Sequence, residues 1–269
     1  MRVSLYATLL ALALPSLAVA QTYPMQSPVP RTTSAPALRD LATQREIEER
    51  FKLGLGALSR DEWPAAAAEF ERIVALNPPE PRGSTAMYDL AIADANLGKN
   101  DEAAHQLQMA LVRDPGFLAA MANLIAVDLA RGNLTEARAV ADRFVAAAPE
   151  SARALYSRGI VALRSGDAPA ARGDFQHLVH SNPAYAVAHY DLALAEETLA
   201  HYDSAELELR AALALAPTYA RAQFALGAVL LHQGRRAEAR TAFAAATRDA
   251  NGDPALANIA AAMRDSIAI

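Results

Sequence analysis

The sequence predicts an all-α protein, a solenoid of about six stacked helix hairpins closed by a C-terminal capping helix. Pro78, Pro115, Pro149, Pro183 and Pro217 fall 37, 34, 34 and 34 residues apart. A fixed period near 34 marks an array of helix pairs, each burying its apolar face only against its neighbours. Gly98, Gly132, Gly166 and Gly234 keep a second phase, at points where a residue free to take positive φ ends a helix. Composition agrees: 53% of the 269 residues are hydrophobic but only 6% aromatic, and alanine supplies much of the apolar share. Alanine favours close-packed helices and is depleted in sheets.

The first twenty residues read as a secretory signal. Arg2 supplies the positive end, Leu5 to Leu17 the apolar stretch, and Ala18-Val19-Ala20 the small-residue cleavage site before Gln21. A membrane anchor is the rival reading. Pro15 breaks the stretch, however, which is shorter than the roughly 20 apolar residues that span a bilayer. The expectation is cleavage after Ala20 and a periplasmic or secreted protein with no integral membrane segment. No cysteine is present, so neither a lipoprotein anchor nor disulfides are available and packing must hold the fold. Losing Arg2 with the signal takes the formal charge from −5 to −6. A mildly acidic chain argues against nucleic acid or an anionic membrane as the main partner.

Residues 21–36 carry four prolines and few large apolar groups, which predicts a flexible leader. A proline-rich ligand for another protein is the functional alternative for this segment. The solenoid is predicted over 37–269. Its units span about 47–80, 84–117, 118–151, 152–185, 186–219 and 220–253, with the cap over 254–267. Leu41, Ile47, Phe51, Leu55 and Leu58 recur at helical spacing in the first helix. The prolines end the second helices, since the residue before proline is pushed out of α geometry. Asp101, Thr135 and Asp203 stand at or near second-helix starts, where oxygen side chains cap N–H groups or complement the dipole.

In register, the units resemble the tetratricopeptide repeat family over about residues 47–251. The first unit offers Leu53-Gly54, Ala66-x-x-x-Phe70 and Pro78. The second has Leu90-Ala91, Gly98, Ala103, Ala110 and Pro115, and the third Leu124, Gly132, Ala137 and Pro149. The fourth has Gly159, Gly166, Ala171-x-x-x-Phe175 and Pro183, and the fifth Leu192-Ala193, Ala205, Ala212 and Pro217. The sixth has Leu226-Gly227, Gly234 and Ala239-x-x-x-Phe243. Three extra residues within Pro79–Gly83 should make the first step irregular. Where the family often has tyrosine, eleven residues into a unit, stand Ala57, Asp94, Asp128, Ala162, Glu196 and Leu230. Three acids at a usually packed site could mark a binding or ion-pairing edge, but because lone buried carboxylates are rare they are expected to be solvated.

The resemblance implies a right-handed superhelix whose first helices line a concave groove for a peptide or partner protein. Carried over position by position, the groove column is Phe51, Tyr88, Ala122, Tyr156, Tyr190 and Phe224. Beside it fall Asp89, Asn123, Arg153, Ile160, Arg164, Asp191, Leu194 and Arg221. Tyrosine and arginine are favoured where partners are recognised, so the strip Phe51, Tyr88, Asp89, Asn123, Arg153, Tyr156, Tyr190, Asp191, Arg221 and Phe224 is the candidate binding site. Packing of the rings between neighbouring first helices is the plainer reading. The carboxylate-clamping set of one branch of the family is not reproduced.

No nucleophile elbow, phosphate loop or dinucleotide fingerprint is present, and neighbouring pairs such as Glu48-Glu49 and Glu196-Glu197 diverge by about 100° on a helix. The expectation is a non-catalytic protein-binding scaffold or adaptor of the bacterial cell envelope, without metal or cofactor. The competing class is a metal-binding or enzymatic protein centred on His177, His180 and His189. Self-association through the C-terminal Ser266-Ile267-Ala268-Ile269 is a third reading, and the sequence leaves the oligomeric state open.

Overall fold

A computed structural model describes residues 35–267. The signal over residues 1–20 and the leader as far as residue 34 lie outside the described residues. The chain divides at Ala42 and Thr43 into two units. The first contributes only the N-terminal turns of the first helix to the described residues, and the second, from Thr43 onward, carries the hairpins.

The described residues form thirteen helices and no strand: α1 (Ala35–Leu58), α2 (Trp63–Ala75), α3 (Arg82–Asn96), α4 (Asn100–Arg113), α5 (Leu118–Arg131), α6 (Leu134–Ala147), α7 (Ala152–Arg164), α8 (Ala168–Ser181), α9 (Ala186–Thr198), α10 (Tyr202–Leu215), α11 (Ala220–His232), α12 (Arg236–Asp249) and α13 (Pro254–Ser266). Helix α1 starts two residues earlier than expected, because Pro36 is tolerated in a first turn, where its missing N–H has no intrahelical partner. From α4 to α12 the second helices end at residues 113, 147, 181, 215 and 249, in step with the 34-residue period. Gly98, Gly132, Gly166 and Gly234 all take φ near 78° between the helices of their hairpins. In the fifth hairpin this position is Ala200, with φ 61°, a left-handed geometry that costs an L-residue about 1–2 kcal/mol. Asp101, Thr135 and Asp203 fall in first turns rather than at caps. Two of them bond to the next hairpin instead, Asp101 accepting from Arg131 at 2.7 Å and Asp203 from Gln233 at 3.0 Å.

The seam inside each hairpin is filled by pairs of complementary size, sixteen residues apart. Gly54, Gly159 and Gly227 stand opposite Phe70, Phe175 and Phe243, whose rings would lie 2.6–2.8 Å from any added Cβ. At the same positions Ala91 and Ala193 are matched with Leu107 and Leu209, and Ile125 with Ala141, all buried. Volume lost on one helix is returned by the other, which keeps the interior at native density. Second helices pack on the first helices before and after them, while first helices also approach one another, α5 to α7, α7 to α9 and α9 to α11. The side on which neighbours approach is the inner side of the stack.

The extra residues before α3 are held by Arg113 at the end of α4. It donates to the Pro78 carbonyl at 2.6 Å and to Asn77 Oδ1 at 3.2 Å, and pairs with Glu80.

The three acids eleven residues into their units are not solvated. Asp94, Asp128 and Glu196 are all buried. Each sits near the end of a first helix and faces a basic side chain three to five residues on: Lys99 Nζ at 3.7 Å, Arg131 Nη1 at 2.9 Å and His201 Nδ1 at 2.8 Å. The expectation of solvation fails because the turn between helices returns a partner to the helix end, where a paired carboxylate is tolerated.

Gly159→Ala should lower stability by about 1–3 kcal/mol through overpacking against Phe175. Combining it with Phe175→Leu recreates the alanine–leucine pair of the fifth hairpin and should recover most of the loss. Denaturant unfolding of both variants checks this.

Candidate functional site

Three contacts with the same spacing organise the inner side. Tyr88 meets Phe117 at 4.9 Å, Tyr156 meets Tyr185 at 6.1 Å and Tyr190 meets Tyr219 at 5.1 Å between ring centroids. Each partner lies 29 residues on, at the residue preceding the next first helix. Three members of the predicted column, Tyr88, Tyr156 and Tyr190, thus share one kind of contact, with ring partners that the column does not include. Phe117, Tyr185 and Tyr219 escape sequence reasoning because they sit in turns, outside any helical periodicity. Their signal is an aromatic two residues after proline, in Pro115-Gly116-Phe117, Pro183-Ala184-Tyr185 and Pro217-Thr218-Tyr219.

The column is uneven in exposure. Phe51, half-buried on α1, packs edge-on against Phe70 at 6.0 Å, and Phe224, buried on α11, packs likewise against Phe243 at 5.2 Å. These two rings fill hairpin seams. Tyr190 is also buried, between α9 and the Tyr219 turn. Tyr88 and Tyr156 are half-buried, and Tyr185 is exposed. Ile160 is buried, and Arg164 donates across to the Leu129 carbonyl at 3.3 Å.

The remaining predicted residues gather in two groups. In the first, Arg153 on α7 donates to Asn123 Oδ1 on α5 at 2.9 Å. Asn123 is hydrogen-bonded to the Tyr88 hydroxyl, and Asp89 lies beside Tyr88 on α3. Arg153 is exposed, whereas Asp89 is buried, and burial pushes its carboxyl up to about 7 with no cation to oppose it.

The second group centres on Asp191 of α9, only 5% exposed. Burial pushes its carboxyl up to about 7, against the Tyr156 hydroxyl, which hydrogen-bonds to it, and the charge of Arg221. Tyr156, Tyr185, Tyr190 and Tyr219 are all raised, first by their own burial and then by neighbours that include Asp191. Arg221 on α11 lies 3.8 Å from Asp253. One carboxylate oxygen, Asp191 Oδ2, has no hydrogen-bond partner.

The histidines named as an alternative centre do not converge. His177 is exposed and faces Glu150 at 3.3 Å, and His180 is exposed. His189 is buried between Glu208, at 2.6 Å from Nδ1, and the Pro183 carbonyl, at 3.0 Å from Nε2. Among the described residues no group of three or more histidine, aspartate or glutamate side chains could hold a metal ion, and no helix is long and apolar enough to cross a membrane.

A tetratricopeptide-repeat family model matches residues 51–117, 125–186 and 190–254. The chain belongs to the tetratricopeptide repeat family. No curated protein matches it in sequence. Among solved structures it is similar to a tetratricopeptide repeat protein from Parabacteroides merdae, 16% identical, with a TM-score of 0.67, covering 84% of this chain and 94% of that one. It is also similar to MamA, 24% identical, with a TM-score of 0.56 and coverage of 62% and 92%. YrrB, described as a tetratricopeptide repeat protein with an unusual peptide-binding site, is 18% identical with a TM-score of 0.57 and coverage of 73% and 100%. At these identities the likenesses establish the fold of the repeats.

The raised Asp191 carboxyl makes stability depend on pH. Between its ordinary value of 3.8 and about 7 the native state holds a proton that the unfolded chain has released. This contribution is therefore complete below about pH 4 and is lost as pH rises to about 7. Asp191→Asn removes the buried charge, so its melting temperature should gain on that of the wild type as pH increases from 4 to 8. Thermal melts across that range measure the trend; a constant or shrinking difference contradicts it.

Proposed function

We propose that the protein is a non-catalytic binding scaffold that takes a peptide segment of a partner protein along the inner face of its first helices. The observation that carries this reading is the two adjoining polar and aromatic groups, one spanning α3, α5 and α7 and the other α7, α9 and α11. Their half-buried tyrosines, exposed Arg153 and acids without an ion pair offer apolar area, hydrogen bonds and charge in one strip, the mixture typical of recognition surfaces. The peptide-binding site ascribed to YrrB is a precedent on a similar fold.

Selection of random displayed peptides on the full chain tests the reading. Recovered peptides should lose about tenfold or more in affinity when Asn123→Ala and Arg153→Ala are combined, since hydrogen bonds to a charged group are removed. Val112→Ala, on an exposed second-helix position, should leave affinity unchanged. Failure to recover any peptide, or equal losses in both variants, overturns the groove.

The place of action we propose is the bacterial cell envelope, on the strength of the three-part pattern in residues 1–20. Protein recovered from the envelope fraction of the producing cell should begin at Gln21; a chain retaining Met1 in the cytoplasm rejects that address.

A further inference from the structure

We infer that Asp191, with the hydroxyls and rings of Tyr156, Tyr185 and Tyr219, forms a subsite for the primary ammonium group of a lysine side chain on the bound peptide. The inference rests on the proposed peptide groove and specifies what one part of that groove accepts.

The chain supplies its own comparison. Asp94, Asp128, Asp174 and Glu196 are buried acids away from this group, and each faces a basic side chain: Lys99, Arg131, Arg158 and His201 respectively. Asp128 also leaves one oxygen unpartnered, but its other oxygen takes Arg131 at 2.9 Å. Asp191 is as deeply buried and has no ion pair. Its Oδ2 meets no donor, and the nearest fixed cation, Arg221, stands 3.8 Å from a different acid, Asp253. A carboxylate taken out of water without a partner is expensive, and such a group in a native interior calls for an explanation.

The missing partner is defined by what surrounds the oxygen. Tyr156 comes from α7, Tyr185 and Tyr190 from α9 and the turn before it, and Tyr219 and Arg221 from α11 and its preceding turn. Phenol oxygens accept hydrogen bonds, and tyrosine rings attract cations over their faces. An ammonium is a compact point charge with three donors, able to divide them between Oδ2 and neighbouring hydroxyls. A trimethylammonium has no N–H for Oδ2. The solvent-facing wall is Tyr185, 36% exposed on its turn, and it is the ring an entering side chain turns aside.

At Asp89, three units earlier, the Tyr-Asp pair recurs, but the ring that Tyr88 meets is Phe117, which carries no hydroxyl. Asp89 lacks the ring of hydroxyls, so the subsite is specific to the fifth unit.

The peptides recovered on the full chain provide the test. Each lysine of the tightest binder is replaced in turn by norleucine, which keeps the methylenes and removes the ammonium. One such replacement should weaken binding to the wild type about tenfold or more, as loss of a charge-assisted hydrogen bond does. The same replacement should change affinity for Asp191→Asn less than about twofold, because the neutral amide gains little from the charge. Trimethylation of that lysine should weaken wild-type binding as well. Affinity of the parent peptide should improve between pH 5.5 and pH 8 as the carboxyl, pushed up to about 7, ionises. Should Asp191→Asn fail to fold, Tyr156→Phe keeps the carboxylate and removes one hydroxyl, and should reduce the lysine preference a few-fold.

Peptides that bind with no dependence on any lysine overturn the subsite and leave the groove standing. A loss in Asp191→Asn that is equal for the parent and norleucine peptides assigns the carboxylate a structural role and also overturns it. Recovery of no peptide at all removes the groove, and the subsite with it.

Discussion

The fixed quantity in this molecule is the volume shared across each hairpin seam, and it is kept constant by unlike pairs. Glycine stands opposite phenylalanine in the first, fourth and sixth hairpins, alanine opposite leucine in the second and fifth, and isoleucine opposite alanine in the third. A seam of constant volume gives each hairpin nearly the same helix separation, since interaxial distance is set by the side chains at the contact. Only then can residues 34 positions apart occupy equivalent places. The alignment of Tyr88, Tyr156 and Tyr190 with their partners 29 residues later depends on that equivalence. So does the meeting of α7, α9 and α11 around Asp191.

Superimposed on this regular frame are two kinds of buried acid with opposite treatment. At helix ends Asp94, Asp128 and Glu196 are paired within a few residues of chain, so each turn satisfies its own carboxylate. On the inner face Asp89 and Asp191 are buried without an ion pair and their carboxyls are pushed up to about 7. Stability alone favours pairing or replacing such groups. Their retention on the side where first helices converge places the destabilised chemistry where a ligand can reach it, as is common at functional sites.

The 34-residue period, the hairpin count and the glycine positions were legible in the sequence because each reports local backbone chemistry: a proline that stops a helix or a residue that accepts positive φ. The shared register of Tyr88, Tyr156 and Tyr190 was legible for the same reason. Their exposure was not. Phe51 and Phe224 share the register of Tyr88 and Tyr156, yet turn into the seams against Phe70 and Phe243. In the fourth hairpin Phe175 occupies the same seam position, and Tyr156 meets Phe175 and Tyr185 together while staying half-buried. The turn tyrosines escape because helical spacing does not extend across a turn. The acids at position eleven are illegible residue by residue, because their burial depends on the partner that the turn returns.

Sequence by itself determined the helical class, the repeat length, the order of the hairpins and which side chains occupy equivalent positions. These follow from propensity, capping and periodicity, which act over a few residues of chain. Tertiary structure decided which equivalent side chains are buried, which acids keep a basic partner, and that four tyrosines from three hairpins come under the influence of one carboxylate. Those outcomes depend on how helices and turns pack against one another, and the distances involved exist only once the seams have set the spacing of the helices.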